Sequence, residues 1–238
     1  MAIQLFVAPA GPEVLNYSPP CMKVEIWMRI ADLPYKATQA ARLADLMRAP
    51  KGKVPYIVDG DDVVADSEFI IAFLSRKYAV DLDRDLTLQQ RAVSRALERM
   101  LDEHTYWCLV YFRYVDPEDW AVYRRALRAS SESAFLRIFC SVVLRPRISR
   151  YLWAQGLGRH TAEEICQRLG QDWAVLSDIL GEQEFLMGHR PTTVDACAYS
   201  YIANMRRGPV SDKAKAVLAR FPNLIAYATR MDSLCALG

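Results

Sequence analysis

The stretch that decides the fold is KVPYIVDGDDVVADSEFIIAFL, residues 53–74. Tyr56-Ile57-Val58 and Val63-Val64-Ala65 are two short β-prone runs around an Asp59-Gly60 turn, which is the signature of a hairpin. Asp66-Ser67 then opens a helix, with apolar residues at Phe69, Ile70, Phe73 and Leu74. A proline has no N–H for a strand ladder, so Pro55 directly before a strand serves backbone geometry. A cis bond there would turn the Val54 N–H and C=O outward. At Asp66-Ser67 a hydroxyl, free amides and the positive end of a helix dipole come together, a natural seat for a carboxylate.

Upstream, Ile3–Val7 reads as a short buried strand, followed by a loop containing Pro9, Gly11 and Pro12. From Ser18 the period changes. Cys21, Val24, Trp27, Met28 and Ala31 recur at three and four, one face of a helix. Ser18-Pro19 is a good helix start, because serine caps and proline is tolerated in the first turn. Tyr35–Gln39 is a candidate second strand. Downstream, residues 78–86 form a polar linker and the strand signals fade. Thr87–Arg113 is a long helical pattern, with further helices expected near 117–140, 160–180, 193–206 and 211–234. Thr192-Thr193-Val194-Asp195 resembles a capping box with aspartate in the acidic position. The expected organisation is an α/β unit over residues 1–79 and an all-helical unit over 87–238.

Composition narrows the function. The chain has 238 residues, is 52% apolar and carries a net charge of +2. The first 77 residues hold nine basic and nine acidic residues, the remainder 21 and 19. Neither part is a basic module, which argues against nucleic acid as the main partner. The clusters Arg124-Arg125-Arg128 and Arg145-Arg147-Arg150 fit solvated helix faces. Six separated cysteines form no CxxC pair, the three histidines form no HExxH, and no metal site is expected. The N-terminus MAIQLFVAP lacks the charged and long apolar regions of a signal peptide. No apolar run approaches the ~18 residues of a membrane span. A soluble cytoplasmic protein is the expectation.

Taken together, these segments resemble the cytosolic glutathione transferase superfamily. SPPCMKV (18–24) resembles the Ser-x-Pro-Cys segment of serine-type, theta-like transferases. GKVPYIVDG followed by ADSEFIIAFL resembles the family's Val-Pro and acidic-Ser signatures. RMLDEHTYWCLVYFRYVDPEDW, QGLGRHTAEEI, FLMGHRPTTVDACAYSYIANM and RFPNLIAYATRMDSL resemble the failed-axon-connections and metaxin-like branch. The resemblance spans nearly the whole chain. It implies a thioredoxin-like N-terminal domain, an all-α C-terminal domain and commonly a homodimer. It also implies glutathione as co-substrate, with a detoxifying attack on a small hydrophobic electrophile.

On that resemblance, Val54 before Pro55 would pair with the cysteinyl backbone of glutathione. Asp66 and Ser67 would hold its γ-glutamyl end, and Lys53 or Lys51 its glycyl carboxylate. Ser18 would donate a hydrogen bond to the sulfur. Tyr17 is the alternative donor, placed second because the helix dipole points at Ser18. Tyr106 and Arg113 would line the electrophile pocket; a hydrogen-bonded interior role is expected for His104. Cys21 stands on the apolar face of the first helix, and a buried structural thiol is expected. The loop before Ser18 is longer than in most transferases. Members of the metaxin-like branch need not be efficient enzymes, so a non-catalytic interaction module is the alternative.

Overall fold

The structure is a computed structural model that describes residues 2–8, 10–11, 13–40, 48–130 and 140–235. It opens with a strand, β1 (Ile3–Val7), whose Ile3, Leu5 and Val7 point inward by the period-two rule. The chain then crosses through α1 (Pro19–Ile30) to β2 (Tyr35–Gln39), which lies parallel to β1 with Leu5 opposite Ala37. β3 (Tyr56–Asp59) and β4 (Asp62–Ala65) form the hairpin read from the sequence. Its turn uses Gly60 at φ +68°, a conformation favoured by the absence of a Cβ. β3 runs antiparallel to β1, giving a four-stranded sheet of order β2-β1-β3-β4. The helix after the hairpin, α2 (Ser67–Tyr78), returns against the sheet. Lys77 of α2 ties down the turn, with its ammonium 2.9 Å from both Asp59 and Asp62.

The rest is helical: α3 (Leu88–Met100), α4 (Tyr106–Tyr114), α5 (Pro117–Ser130), α6 (Arg145–Gln155), α7 (Ala162–Leu180), α8 (Thr193–Arg207), α9 (Asp212–Ala219) and α10 (Pro222–Leu234). Three details depart from the sequence reading. The long helix over 87–113 is widened by a π turn at Leu101–Thr105, which periodicity does not reveal. The Arg145-Arg147-Arg150 cluster, expected on a solvated helix face, stands on a separate helix, α6, whose bounds the sequence pattern does not mark. Pro146 sits in its first turn, where the missing N–H is harmless. The segment 211–234 is two helices, because Pro222 starts a new one after Phe221. The helix expected near 117–140 covers Pro117–Ser130, and residues 131–139 lie outside the described ones.

The two parts share one core through α1. Pro19 and every residue from Cys21 to Met28 are buried, although Lys23 and Glu25 are among them. α1 packs on α2 and on α8 and shares a core with the inward residues of β1. Lys23 is 1% exposed, and its ammonium lies 3.0 Å from Asp102 and 3.6 Å from Glu98. Burial alone would push that amine toward neutrality. The two carboxylates outweigh burial and hold it above its ordinary value. Asp102 also accepts a hydrogen bond from Tyr201 at 2.8 Å. Trp27 Nε1 donates to Thr193 at 3.2 Å, and Thr193 N–H to Asp83 at 2.9 Å, so the start of α8 is fixed to both parts.

Asp195 sits 0% exposed in the first turn of α8. It accepts from Thr192 N–H at 2.8 Å, Thr192 Oγ1 at 2.7 Å, Leu186 N–H at 2.9 Å and Tyr227 at 3.0 Å. Removing the carboxylate therefore orphans three donors, while Tyr227 keeps the Asp195 backbone carbonyl at 3.2 Å.

Asp195→Ala is expected to destabilise the fold by about 2–4 kcal/mol, above the ~1 kcal/mol of an ordinary cap, because the stranded donors are buried. Denaturant unfolding measures this, and an unchanged midpoint would refute the assignment. Lys23→Met is expected to cost about 3–5 kcal/mol by taking the nearest cation from Asp102 and leaving Glu98 to Arg95 at 3.6 Å. Adding Glu98→Gln and Asp102→Asn to that variant should recover part of the loss, and no recovery would mean that the ion pairing is incidental.

Candidate functional site

Four separate segments converge on a cleft of about 290 Å³ between the sheet unit and the α3–α4 region. Ser18 and Pro20 come from the start of α1, Lys51, Lys53, Val54 and Pro55 from the approach to β3, and Asp66, Ser67 and Glu68 from the start of α2. The opposite wall is Arg99, Asp102, Glu103, Tyr106 and Trp107. The π turn lies between Arg99 and Tyr106, and two of its residues, Asp102 and Glu103, are part of this wall.

The floor is held by backbone bonds. The Val54–Pro55 peptide is cis. The Pro55 carbonyl accepts from Asp66 N–H at 3.2 Å, which joins the strand approach to the helix start. Asp66 has φ +86°, a conformation costing a non-glycine residue about 1–3 kcal/mol and concentrated at ligand clamps. Its carboxylate is exposed and accepts from Glu68 N–H at 3.1 Å. Ser67 is buried in the first turn of α2, beside the free amides of that helix end.

Ser18 is the residue before α1, with extended backbone and a side chain that caps no amide of the helix. The plain N-cap role therefore does not use its hydroxyl. Its own N–H is held by Asn16 Oδ1 at 2.9 Å. Asn16 is fully buried; it donates to Glu25 at 2.6 Å, and its carbonyl accepts from Asn204 at 3.3 Å. The long loop before α1 is thus anchored to both halves of the molecule. Cys21 lies 0% exposed beside the Ser18 hydroxyl, and burial pushes its thiol up to about 12. It remains a protonated, unreactive thiol.

The expected residues do not all meet. Tyr17 is buried, with its ring edge-on to Tyr123 at 6.3 Å and against Gly11, and it does not line the cleft. Arg113 is 4% exposed; it donates to the Tyr17 carbonyl and, at 2.8 Å, to Asn204, behind the cleft rather than in it. His104 is hydrogen-bonded to Asp172 at 2.7 Å, also away from the cleft. Sequence reasoning missed Glu68, Arg99, Asp102, Glu103 and Trp107, which come together only when the helices dock. Asn16 had a local signal, a side-chain acceptor two residues before the N–H it holds.

Charge in the cleft is divided. Lys51 and Lys53 stand at the Val54 end, while Asp102 and Glu103 stand on the helical wall. Glu68 joins the two sides by pairing with Arg95, and with Arg99 at 3.2 Å. Against the push of burial, these guanidiniums hold the Glu68 carboxyl below its ordinary value. Among the described residues no group of three His, Cys, Asp or Glu side chains could hold a metal ion. No described helix is long and apolar enough to cross a membrane.

This fold is that of glutathione transferases. The family model for the glutathione S-transferase N-terminal domain matches residues 19–119, and that for the C-terminal domain residues 169–231. The chain is 32% identical over 203 residues to the isoprene-epoxide–glutathione S-transferase of a Rhodococcus species, covering 84% of each. It is 32% identical over 247 residues to Failed axon connections of Drosophila melanogaster, covering 98% of this chain but 58% of that protein. Human metaxin-2 is 24% identical over 216 residues. A glutathione transferase from Phanerochaete chrysosporium superposes over 98% of this chain and 97% of its own, with a TM-score of 0.69 at 19% identity. The chain belongs to the glutathione transferase superfamily, in the branch that includes Failed axon connections and the metaxins.

Glu25 gives the Ser18 loop a pH dependence. Burial raises its carboxyl to about 7, against the opposing pull of Asn16, Arg29 and Tyr35. Because the folded value lies above the unfolded one, folding favours the protonated form. The stability tied to Glu25 is thus full below about pH 4.3 and is lost as pH rises through about 7. Glu25→Gln is expected to flatten the fall in unfolding free energy over that interval by about 3–4 kcal/mol. Parallel stability–pH curves for the two proteins would refute this.

Proposed function

We propose that the protein is a glutathione transferase that binds glutathione in this cleft and activates its thiol for attack on a small hydrophobic electrophile. One observation carries the reading: Ser18, Val54-Pro55, Asp66-Ser67 and the two lysines converge on a single cleft. Residues 1–79 act as the glutathione-binding unit, and residues 87–238 supply the electrophile side. The protein works in the cytoplasm as a homodimer, with a detoxifying role.

Glutathione carries two carboxylates, one ammonium and one thiol, and the cleft offers a group for each. The Ser67 hydroxyl and the α2 amides take the γ-glutamyl carboxylate, and the Asp66 charge suits the ammonium. The Val54 backbone pairs with the cysteinyl peptide unit. Lys53 or Lys51 meets the glycyl carboxylate as a point charge. A thiol with a pKa near ~8.5 is mostly protonated at neutral pH. A hydrogen bond from the Ser18 hydroxyl and the positive end of α1 favour the thiolate. That sulfur then forms a bond to an electrophilic carbon while the electron pair of the broken bond leaves on oxygen or halide. The relative named for isoprene epoxide supports an electrophile of this kind. Tyr106 and Trp107 form the apolar side of the cleft. The buried setting of Tyr17 supports Ser18 as the sulfur's donor, and Arg113 holds the Tyr17–Ser18 segment from behind.

Glutathione at 100-fold over its dissociation constant should stabilise the fold by about 2.7 kcal/mol, visible as a rise in melting temperature. Ser67→Ala should reduce that shift. Ser18→Ala should keep the shift but lower kcat/KM for conjugation to an epoxide by about 10²-fold or more. Binding without turnover on epoxides, aryl halides, isothiocyanates and peroxides would make the chain a binding module instead. No shift and no turnover would end the proposal.

A further inference from the structure

Charge along this chain is unevenly placed. Between Trp120 and His160 the sequence holds eight arginines, no lysine and one acidic residue, Glu132. The whole chain is only +2, so the remainder is net negative. Arg147, Arg150 and Arg159 are exposed on or just after α6, and among the described residues none of them pairs with a carboxylate.

The same stretch of chain exposes large apolar side chains. Val142 is 67% exposed, Trp153 59% and Tyr151 48%. Single exposed apolar residues need no explanation, but a group interleaved with guanidiniums marks an interaction surface. At 3.6 residues per turn, Tyr151 and Trp153 flank the outward face of α6 with Arg147 and Arg150 between them. Leu152, fully buried, fastens the opposite face to the core. Arg147 lies 5.5 Å from the Tyr151 ring and Arg159 5.3 Å from the Trp153 ring, so the cations and rings form one mixed layer.

We propose that this face docks the protein on an anionic lipid surface, lying in the headgroup plane without crossing it. Trp and Tyr prefer the headgroup level, and an aliphatic residue such as Val142 gains by entering the acyl boundary. Arginine stems can lie along apolar surface while their heads meet lipid phosphate. Nucleic acid could stack bases on the rings, but it offers no apolar layer for the exposed valine. The negative remainder of the chain also orients the basic face toward a negative membrane.

Co-sedimentation with phosphatidylcholine vesicles, with and without phosphatidylserine, tests this. Binding is expected only with phosphatidylserine and should weaken as added salt shortens the screening length below ~8 Å. The double variant Arg147→Glu/Arg150→Glu should bind roughly ten-fold or more weakly. Trp153→Ala should also weaken binding and remove part of the blue shift of tryptophan fluorescence on vesicles. All three positions are exposed, and unchanged circular dichroism and melting temperature would show the variants folded. Equal binding to both vesicle types, no binding, or insensitivity to these variants would overturn the proposal. So would displacement from vesicles by duplex nucleic acid at lower concentration, or variants that turn a dimer into a monomer without affecting vesicle binding.

Discussion

A lysine 1% exposed to water is the constraint around which this molecule is arranged. Lys23 lies on α1, the helix that packs on both α2 and α8 and shares a core with β1. An ammonium there is tolerable only if carboxylates meet it, and they come from the far part of the chain, Glu98 and Asp102. The sheet unit therefore cannot bury α1 correctly without the helical unit. The polar pairing fixes how the two dock, while the surrounding apolar contacts supply most of the driving force.

The cleft depends on that docking. One wall is made by turns of the sheet unit: Ser18 ahead of α1, Val54-Pro55 ahead of β3 and Asp66-Ser67 ahead of α2. The other wall is the π turn and the start of α4. Asp102 serves both purposes, since it meets Lys23 in the interior and borders the cleft. Glu68 does likewise at the rim, joining α2 to Arg95 and Arg99 of α3. Stability and site geometry thus share residues.

Most of the sheet unit was legible because its signals are local. A Gly turn between two β-branched runs, a serine and proline at a helix start, and alternation in Ile3–Val7 each act over a few residues. The half of the cleft built from such turns could be read the same way. The helical wall could not, because Arg99, Asp102, Glu103 and Trp107 carry no distinguishing motif and are collected by packing. The π turn escaped detection since one extra residue in a helical turn leaves the apolar period nearly intact. The bounds of the helix at 145–155 were not legible because its outward face is apolar as well as basic, which blurs a 3.6-residue period.

Local patterns alone specify that a small mixed sheet is followed by helices, and that Ser18, Val54, Pro55, Asp66 and Ser67 stand at the ends of elements. Those are properties of short segments, set by hydrogen-bond capping, proline geometry and side-chain periodicity. Only the tertiary structure decided that Ser18 faces the cleft while its neighbour Tyr17 is buried, and that Arg113 braces their backbone from behind. It also decided which charges of a near-neutral chain are buried in pairs and which arginines are left facing water. The physical reason is the same in each case. The energy of a polar group depends on what lies within a few ångströms of it, and for these groups decisive neighbours, such as Glu98 and Asp102 for Lys23, Arg113 for Tyr17 and Asn204 for Asn16, are far away along the chain.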